Sequence, residues 1–283
     1  MPEVERVSVI LLNYHGYQDT AECLLSIKKA GKHGLAVQTI MVDVHDKDDV
    51  ENQDAQKLSK SFPEVTILPN KNTGYTGGNN AGMEYALKNT NPGYILLLNN
   101  DTRIHPNLLE ELVQAAHNHQ NQGFFVPKIY FEKGYEFYKN KYQKSDLGNV
   151  IWAMGGKIDW SNVYGSNIAI DEVDKGQYDK NPPIPDFISG CCFLASSKFF
   201  QQVGHFDEKY YLYMGRVDLS ARAQRPGYKL KIIPQSKIWH INSGTAKASS
   251  DIQDYFITRN RLMFAFKYAN LKTKIAIFRE SIK

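Results

Sequence analysis

One stretch constrains the fold more than any other: the nine residues Tyr94–Thr102, YILLLNNDT. The first five are apolar or aromatic without a polar interruption, which is typical of a strand buried on both faces of a sheet. The run then ends abruptly in Asn99, Asn100 and Asp101. Because ligands of open α/β sheets collect beyond the carboxyl ends of the strands, we expect these polar side chains to border a binding crevice.

Similar strands precede this one, and helical patterns separate them. Val7–Asn13 and Val37–Asp43 are both short apolar runs. Alternating strands and helices predict βαβ units, and therefore an α/β fold with a mainly parallel central sheet and flanking helices. Asp19 and Glu22 predict a capping box at the start of the first helix. Asp43 closes the second strand, where an acid either makes turn contacts or faces a ligand.

A glycine-rich segment, Pro69–Gly82, follows the third predicted strand. Gly74, Gly77 and Gly78 permit close approach of the backbone, so this loop is suited to lie against a ligand at the start of a helix that runs to about Asn89. The pattern is neither a Walker A motif nor GxGxxG, and a plain tight turn is an equal alternative. The lack of GxGxxG after the first strand also disfavours an NAD-type dehydrogenase.

The pattern changes in the second half of the chain. From Gly123 to about Pro185 we predict hairpins and loops, with Lys139–Asn149 as a mobile segment. We expect a single domain over residues 1–283, with a first half to about 122, a second half over 123–250 and a C-terminal helix and tail over 251–283. The later regular segments are predicted as strands Phe187–Leu194 and Leu230–Ile233 and helices Ser197–Val203, Val217–Arg225 and Asp251–Ala269.

Composition limits the class of protein. The chain is 42% hydrophobic and has no apolar run near the ~18 residues that span a bilayer, which predicts a soluble globular protein. The N-terminus shows no secretory signal pattern. Three cysteines without metal-type spacing favour a reduced, cytoplasmic setting. A net charge of +4 suits an anionic small-molecule substrate and is too diffuse to indicate nucleic acid binding.

Five stretches, in order and spacing, carry a resemblance that covers the chain from Val7 to about Lys267. The stretches are Val7–Tyr14, Ile40–Asp43, Asn72–Ala81, Leu96–Thr102, and Ser189–Arg222 followed by Trp239-His240 and Tyr255–Asn260. On these stretches the chain resembles the family 2 glycosyltransferases, particularly the bacterial rhamnosyltransferase-like members. The resemblance implies a GT-A fold, a nucleotide-diphosphate-sugar donor, a divalent cation (Mg²⁺ or Mn²⁺) and inversion at the anomeric carbon.

The resemblance implies a metal site. Asp101 stands at the last acid of the family's DxD-type motif, Asn99 replaces the first acid, and His240 is implied as a further metal or diphosphate ligand. A divalent cation neutralises a departing diphosphate, and one or two protein carboxylates suffice to hold it because phosphates complete the coordination. From the residues alone, Asp101 also fits a cap for the helix beginning near Pro106, and His240 fits a buried core histidine.

The resemblance also implies a donor side and an acceptor side. Asp43 would contact the nucleotide base, and residues 72–80 would lie along the nucleotide and sugar. The tyrosines after residue 209 could stack on an acceptor sugar or simply pack their loop. The implied donor-binding residues are Asn13, Tyr14, Asp43, Asn72, Gly74, Gly77, Asn79, Asn80, Asn99 and Asn100, and the implied acceptor-binding residues are Gly190, Tyr211 and Tyr213.

The chain departs from the family pattern at the expected general base. The family typically shows Glu-Asp after the aromatic cluster, whereas Gly215 and Arg216 stand there in this chain. Arginine cannot accept a proton at working pH. Three interpretations stay open: the chemistry is impaired, Asp218 serves as the base instead of supporting the start of a helix, or Arg216 pairs with the diphosphate.

We therefore predict an inverting, metal-dependent glycosyltransferase, impaired by the missing acids. It would move a sugar from a dTDP- or UDP-sugar to an oligosaccharide or lipid-linked glycan in bacterial cell-envelope polysaccharide synthesis. The alternative is a catalytically silent nucleotide-sugar-binding or scaffolding protein of the same fold. The basic, amphipathic stretch 262–283 predicts either peripheral association with the inner face of the plasma membrane or a final helix packed on the domain.

Overall fold

A computed structural model describes residues 4–32, 34–46, 53–119, 121–241 and 251–281. The predicted strand at the centre of the sequence argument forms β4 (Tyr94–Asn99), and Ile95 to Leu98 are all buried. Parts of three predictions lie outside the described residues: the acidic stretch after Asp46, the end of the second half and the last two residues of the tail.

Two sheets form within the described residues. Their strands are β1 (Arg6–Asn13), β2 (Ala36–His45), β3 (Thr66–Lys71), β4, β5 (Thr102–Ile104), β6 (Gln122–Phe131), β7 (Ile151–Ala153), β8 (Gly156–Asp159), β9 (Tyr164–Asn167), β10 (Cys192–Ser196) and β11 (Lys229–His240). Nine of these strands form the main sheet, in the order β3-β2-β1-β4-β10-β6-β11-β5 with β7 paired to β6, and β8 and β9 form a separate two-stranded sheet.

The direction of the strands differs between the two sides of the sheet. The first four are parallel, as the predicted βαβ units require. Strand β10 lies antiparallel between β4 and β6, while β6 and β11 are parallel to each other. The predicted α/β fold with a mainly parallel sheet is confirmed, with a mixed second side.

Helices cover both faces of the sheet, which explains the unbroken apolar run in β4. Leu96 and Leu98 face one core, built with the first and fourth helices, while Ile95 and Leu97 face a second core, built with the third, fifth and sixth helices. The helices are α1 (Tyr17–Lys29), α2 (Asp54–Ser61), α3 (Gly74–Asn89), α4 (Leu108–Asn118), α5 (Ser197–Val203), α6 (Gly215–Gln224), α7 (Asp251–Tyr268) and α8 (Leu271–Ser281).

The prediction of a long glycine-rich loop is wrong. Strand β3 continues through Pro69, and α3 begins at Gly74, so Gly77 and Gly78 belong to the helix. A Cβ atom at Gly78 would lie 2.9 Å from Leu12, because α3 packs closely on the sheet. Gly78 therefore serves helix-to-sheet packing, a need that the local pattern does not distinguish from ligand approach.

The second half contains a long strand where we predicted hairpins and loops. Strand β6 runs for ten residues and nine of them are buried. Lys128 interrupts its apolar pattern, and the buried ammonium group is paired with Asp174 and Asp179, each at 2.7 Å. The segment predicted as mobile, Lys139–Asn149, begins with a short 3-10 helix, and its mobility stays a prediction.

Several predicted boundaries are also corrected. Strand β11 continues past Leu230–Ile233 to residue 240, because a register shift between Ile233 and Lys237 absorbs the intervening proline. Strand β10 begins later than the predicted Phe187, and α6 begins at Gly215. The capping box is wrong: α1 begins at Tyr17, and Glu22 pairs with Arg103 instead.

Candidate active site

Two side chains meet where β4 and β11 end. Asp101 lies in the turn after β4, and His240 is the last residue of β11. Strand β5 joins them, since His240 is in register with Thr102 and the Ile241 amide donates to the Asp101 carbonyl at 2.9 Å. The Asp101 Oδ1 and His240 Nε2 atoms are 3.1 Å apart.

The residues present fit a divalent cation. Asp101 Oδ1 is buried and, although it lies within ion-pair distance of His240, it has no partner with hydrogen-bond geometry. Two cis ligands of an octahedral ion at about 2.1 Å would be about 3 Å apart, which matches this pair. Within the described ranges no group of three or more His, Cys, Asp or Glu side chains forms a metal cage. A cation here would therefore take two protein ligands and complete its coordination with phosphate and water oxygens.

A buried hydrogen-bond chain connects this junction to the ends of β1 and β2. Asn13 donates to Asp43 Oδ1 at 2.7 Å and accepts from Thr20 at 2.8 Å, and Asn100 in turn donates to Thr20 at 2.8 Å. Burial raises the pKa of Asp43, although its hydrogen bond from Asn13 opposes the shift. The predicted donor residues Asn13, Asp43 and Asn100 are thus brought together at the edge of the sheet.

A second polar group lies beside that chain. Tyr14 and Asn72 donate to the two oxygens of Asp46 at 2.7 and 2.9 Å, and these bonds lower the pKa of Asp46. Asn72 Oδ1 accepts from the Tyr211 hydroxyl at 2.8 Å and from the Gly74 amide at 3.1 Å. The structure therefore joins the predicted donor residue Asn72 to the predicted acceptor residue Tyr211. It also adds Asp46 to the residues of the candidate site, which the sequence argument missed.

Two predicted donor residues in α3 point into the protein. Asn80 donates to the Phe206 carbonyl and accepts from the Phe206 amide, both at 3.0 Å. Asn79 donates to the Tyr75 carbonyl within its own helix. Gly77 lies where a Cβ atom would be 2.5 Å from Thr73. These contacts assign Asn80 and Gly77 to holding the fold around α3.

The segment after residue 209 has an unusual backbone. Tyr211, Tyr213 and Met214 all have positive φ, at 58°, 58° and 53°. Asn260 on α7 supports the segment, since its amide group donates to the Tyr210 carbonyl at 2.7 Å. A Cβ atom at Gly74 would lie 2.6 Å from the Tyr211 ring, so the absence of a side chain at residue 74 permits this approach.

Asp218 lies in the first turn of α6, and several hydrogen-bond donors hold its carboxylate. Its side chain is fully buried and accepts from Lys267 at 2.7 Å, Arg222 at 2.8 Å and Tyr268 at 2.8 Å. Burial alone would raise the pKa of Asp218, but these hydrogen bonds outweigh burial and lower it. The geometry therefore favours the structural alternative for Asp218 over the role of a general base.

Arg216 lies two residues before Asp218, in the same first turn of α6. Its guanidinium group sits 5.6 Å from the centre of the Phe187 ring, and the residue is half-buried. A Cβ atom at Gly190 would be 3.2 Å from Arg216 Cδ. The predicted acceptor residue Gly190 thus leaves space for Arg216, and the Gly190 carbonyl accepts from the Tyr75 hydroxyl at 2.6 Å.

With this geometry established, comparison with known sequences decides the family. The profile described as Glycosyl transferase family 2 matches residues 8–204. The chain belongs to glycosyl transferase family 2. The match contains the predicted donor residues, Asp101 and Gly190, whereas Tyr211, Tyr213, Arg216 and His240 lie beyond its last residue.

Curated relatives agree with this family. The Low-salt glycan biosynthesis hexosyltransferase Agl10 of Haloferax volcanii is 24% identical over 228 residues, which cover 78% of this chain and 62% of the relative. The N-acetylglucosaminyl-diphospho-decaprenol L-rhamnosyltransferase of Mycobacterium tuberculosis is 24% identical over 193 residues, or 65% of this chain and 61% of the relative. The chain thus spans about three fifths of the length of these relatives. The predicted rhamnosyltransferase-like resemblance is confirmed.

Solved structures confirm the GT-A fold. GalNAc-T7 with UDP, GalNAc and Mn²⁺ gives a TM-score of 0.69 at 15% identity, covering 94% of this chain and 48% of that one. The mannosyltransferase PcManGT from Pyrobaculum calidifontis, in complex with GDP-Man and Mn²⁺, gives 0.56 at 12% identity, covering 99% and 70%. At these identities the likeness extends to the fold alone.

Because the chain belongs to family 2, Arg216 is a departure from the acid that the resemblance implies at this position.

The site of this family 2 chain brings Asp101, His240, Asn13, Asp43 and Asn72 to one edge of the sheet. Sequence reasoning missed two contributors to that edge. Asp46 is exposed within an acidic stretch, and Thr20 is a buried helix residue, so no local pattern marks either of them.

Proposed function

We propose that this chain transfers a sugar from a nucleotide-diphosphate donor to a hydroxyl group of a glycan acceptor, with inversion at the anomeric carbon. Membership of family 2 supports glycosyl transfer as the reaction class. The observation that carries the proposal is the approach of Asp101 Oδ1 to His240 Nε2, with the carboxylate oxygen buried and lacking a hydrogen-bond partner.

Asp101 and His240 would hold Mg²⁺ or Mn²⁺ in this proposal. When bound, the cation neutralises the charge that develops on the departing diphosphate. Asp43 and Asn13 would orient the nucleotide base, because they are held rigidly at the ends of β1 and β2. Relatives of this fold that have been solved contain Mn²⁺ with UDP or GDP-Man, which supports a nucleotide-sugar donor, and we favour a dTDP- or UDP-sugar.

The acceptor in this proposal is an oligosaccharide or lipid-linked glycan of a bacterial cell envelope. The Mycobacterium tuberculosis relative carries a decaprenol-linked diphosphate sugar in its name, which supports a lipid-linked acceptor.

The surface of the last helix, α8, also supports a lipid-linked acceptor. Leu271, Ile275 and Phe278, exposed by 73%, 45% and 52%, follow one another at helical spacing and form an outward apolar stripe.

Basic residues flank that stripe, and together they fit a peripheral contact with an anionic membrane. Lys272 and Arg279 are exposed on α8, while Ile277 on the opposite side is buried against α7. We therefore propose that the protein works at the inner face of the plasma membrane. Among the described residues, no helix combines the length and apolar character that crossing a bilayer requires.

We further infer that turnover is slow. Arg216 occupies the position of the usual base, and the nearby Asp218 already accepts from Arg222, Lys267 and Tyr268. General bases typically contribute ~10²- to 10⁴-fold, so losing one leaves a slow transferase. The same observation supports the second candidate, a nucleotide-sugar-binding protein with no transferase activity.

A two-stage experiment tests the proposal. Thermal shift with UDP, dTDP and GDP, each with and without Mn²⁺, measures donor binding, since a ligand of the folded state raises the melting temperature. Hydrolysis and transfer from the best-binding nucleotide sugar then measure turnover. We expect a stabilisation that requires Mn²⁺. Absence of any cation-dependent shift would contradict the donor site, and binding without turnover would favour the silent protein.

A further inference from the structure

Arg216 is a half-buried cation without a counter-ion in the described part of the chain. Its guanidinium lies over the Phe187 ring, and no described carboxylate comes within ion-pair distance of it. The nearest acid along the chain, Asp218, is engaged by Arg222 and Lys267. Desolvating a charge without a partner is costly, so a half-buried arginine without a counter-ion indicates a ligand that supplies the missing negative charge.

The position of Arg216 relative to the candidate cation site narrows the choice of ligand. A Cβ atom at Gly190 would lie 3.2 Å from Arg216 Cδ. The carbonyl of the next residue, Cys191, accepts from the Asn99 amide at 2.8 Å, and Asn99 is two residues before Asp101. Arg216 and the end of β4, which leads into Asp101, therefore lie against the same short segment, 190–191.

We propose that Arg216 forms an anion subsite on the acceptor side of the crevice, and that it selects an acceptor carrying an oxyanion next to the sugar that is glycosylated. This inference rests on the proposed function. The donor diphosphate already has a cation position at Asp101 and His240, so a second fixed positive charge serves the other reactant. The guanidinium group presents a planar fork of donors that pairs with phosphate or carboxylate oxygens in a bidentate manner.

Tyr75 and Tyr213 strengthen the argument that this subsite recognises an anion. If these two tyrosines ionised, their negative charge would act on Arg216. Burial raises the pKa of both hydroxyls, so both stay neutral at working pH. The local charge of the subsite is thus that of the guanidinium alone. Arginine at this position cannot accept a proton as the usual acid does, and it binds a negatively charged group of the acceptor instead.

Binding of small probes tests the subsite directly. The full chain, with and without saturating UDP and Mn²⁺, is titrated with glucose 1-phosphate, glucuronate and methyl glucoside. We expect at least one anionic probe to bind roughly tenfold more tightly than the neutral glycoside, as a charged hydrogen bond provides. Comparison of the phosphate and the carboxylate probe identifies which oxyanion the subsite takes.

Matched variants assign the preference to one side chain. Arg216→Gln should abolish the preference for the anion, and Arg216→Lys should retain part of it. Arg225→Gln is the control, because Arg225 is an exposed arginine at the C-terminal end of the same helix, away from Arg216, and it also lies over an aromatic ring, at 5.3 Å from Tyr268. The melting temperature of each variant shows that the fold is retained.

Failure of this inference and failure of the proposed function are distinguishable. No anion preference in the wild type, or a preference that survives Arg216→Gln, overturns the subsite. Arg216→Gln should leave the affinity for UDP with Mn²⁺ unchanged, and an equal loss there would assign Arg216 to the donor and also overturn it. If the wild type binds no nucleotide with Mn²⁺, the proposed function fails, while the titrations without nucleotide still decide the subsite.

Discussion

Asp101 Oδ1 lies 3.1 Å from His240 Nε2, although the two residues come from the turn after β4 and the far end of β11. Strand β5 makes this contact possible, because it follows Asp101 directly and pairs with the last three residues of β11. A short strand that is hard to detect in the sequence thus sets the distance between the two proposed ligands.

Removal of either proposed ligand should weaken Mn²⁺ binding, and removal of both should cost less than the sum. We expect this non-additivity because Asp101→Asn and His240→Ala destroy the same coordination sphere. Calorimetric titration of Mn²⁺ with saturating UDP measures the two single variants and the double variant. Asp251→Asn, an exposed acid at the start of α7, is the control and should bind like the wild type. Strictly additive losses would argue against a shared ion.

Asp43→Asn should weaken nucleotide binding without lowering stability. Burial raises the folded-state pKa of Asp43 above its unfolded value, so its contribution to stability decreases as pH rises from about 4 through the folded pKa. At neutral pH the amide avoids the cost of a buried charge and can still accept from Asn13. Melting curves at pH 7 and a UDP titration test this. A large drop in melting temperature with unchanged binding would show that Asp43 is structural.

Asp218→Asn should destabilise the fold by about 3 to 5 kcal/mol, because it leaves Arg222 and Lys267 without their buried partner. Hydrogen bonds lower the folded pKa of Asp218, so its stabilising effect is present above about pH 4 and is lost as pH falls through the folded pKa. Denaturant unfolding at pH 7 and pH 3 should therefore show a difference between wild type and variant that shrinks with acid. A stable variant that loses only turnover would restore Asp218 as the base.

Arg216→Asp should affect two kinds of acceptor differently: it should raise kcat with a neutral acceptor and raise KM with an anionic one. With a neutral acceptor the new carboxylate restores a base, and kcat should rise by ~10²- to 10⁴-fold. With an anionic acceptor the same carboxylate repels the substrate, and KM should rise. Gly215→Glu is not a clean companion, since a Cβ atom there would lie 2.6 Å from Thr76. An unchanged or lower kcat with the neutral acceptor would remove the missing-base argument.

The outward stripe of α8 should bind anionic vesicles. Sedimentation with vesicles of phosphatidylglycerol should recover the wild type, and the variant Leu271→Ser/Ile275→Ser/Phe278→Ser should stay in solution. Neutral phosphatidylcholine vesicles provide the control, because loss of the surface charge removes ~1 kcal/mol for each basic residue near the membrane. Equal recovery of wild type and variant, or none of either, would leave α8 as a helix packed on the domain.

Much of the first half could be predicted from the sequence because its signals are local. Strands such as β4 are continuous apolar runs, and Asn99, Asn100 and Asp101 follow directly where the run stops. Parallel register then carries Asn13 and Asp43 to neighbouring strand ends, which are paired in the structure. The donor side is therefore largely a consequence of strand order.

The second half depended on contacts between distant residues. Strand β6 was missed because Lys128 is neutralised by Asp174 and Asp179, far along the chain. The tail of β11 was missed because a bulge, not an apolar run, lets it continue to His240. The sequence leaves Asp218 open as a base, because Lys267, which pairs with its carboxylate, lies far along the chain.

Anomalous diffraction at the manganese edge, from crystals grown with Mn²⁺ and UDP, tests the central claim most directly. We predict one strong peak within about 2.3 Å of both the Asp101 carboxylate and the His240 ring, with the diphosphate oxygens completing the coordination. A manganese peak bound elsewhere, with nucleotide present and Asp101 still beside His240, would contradict the account.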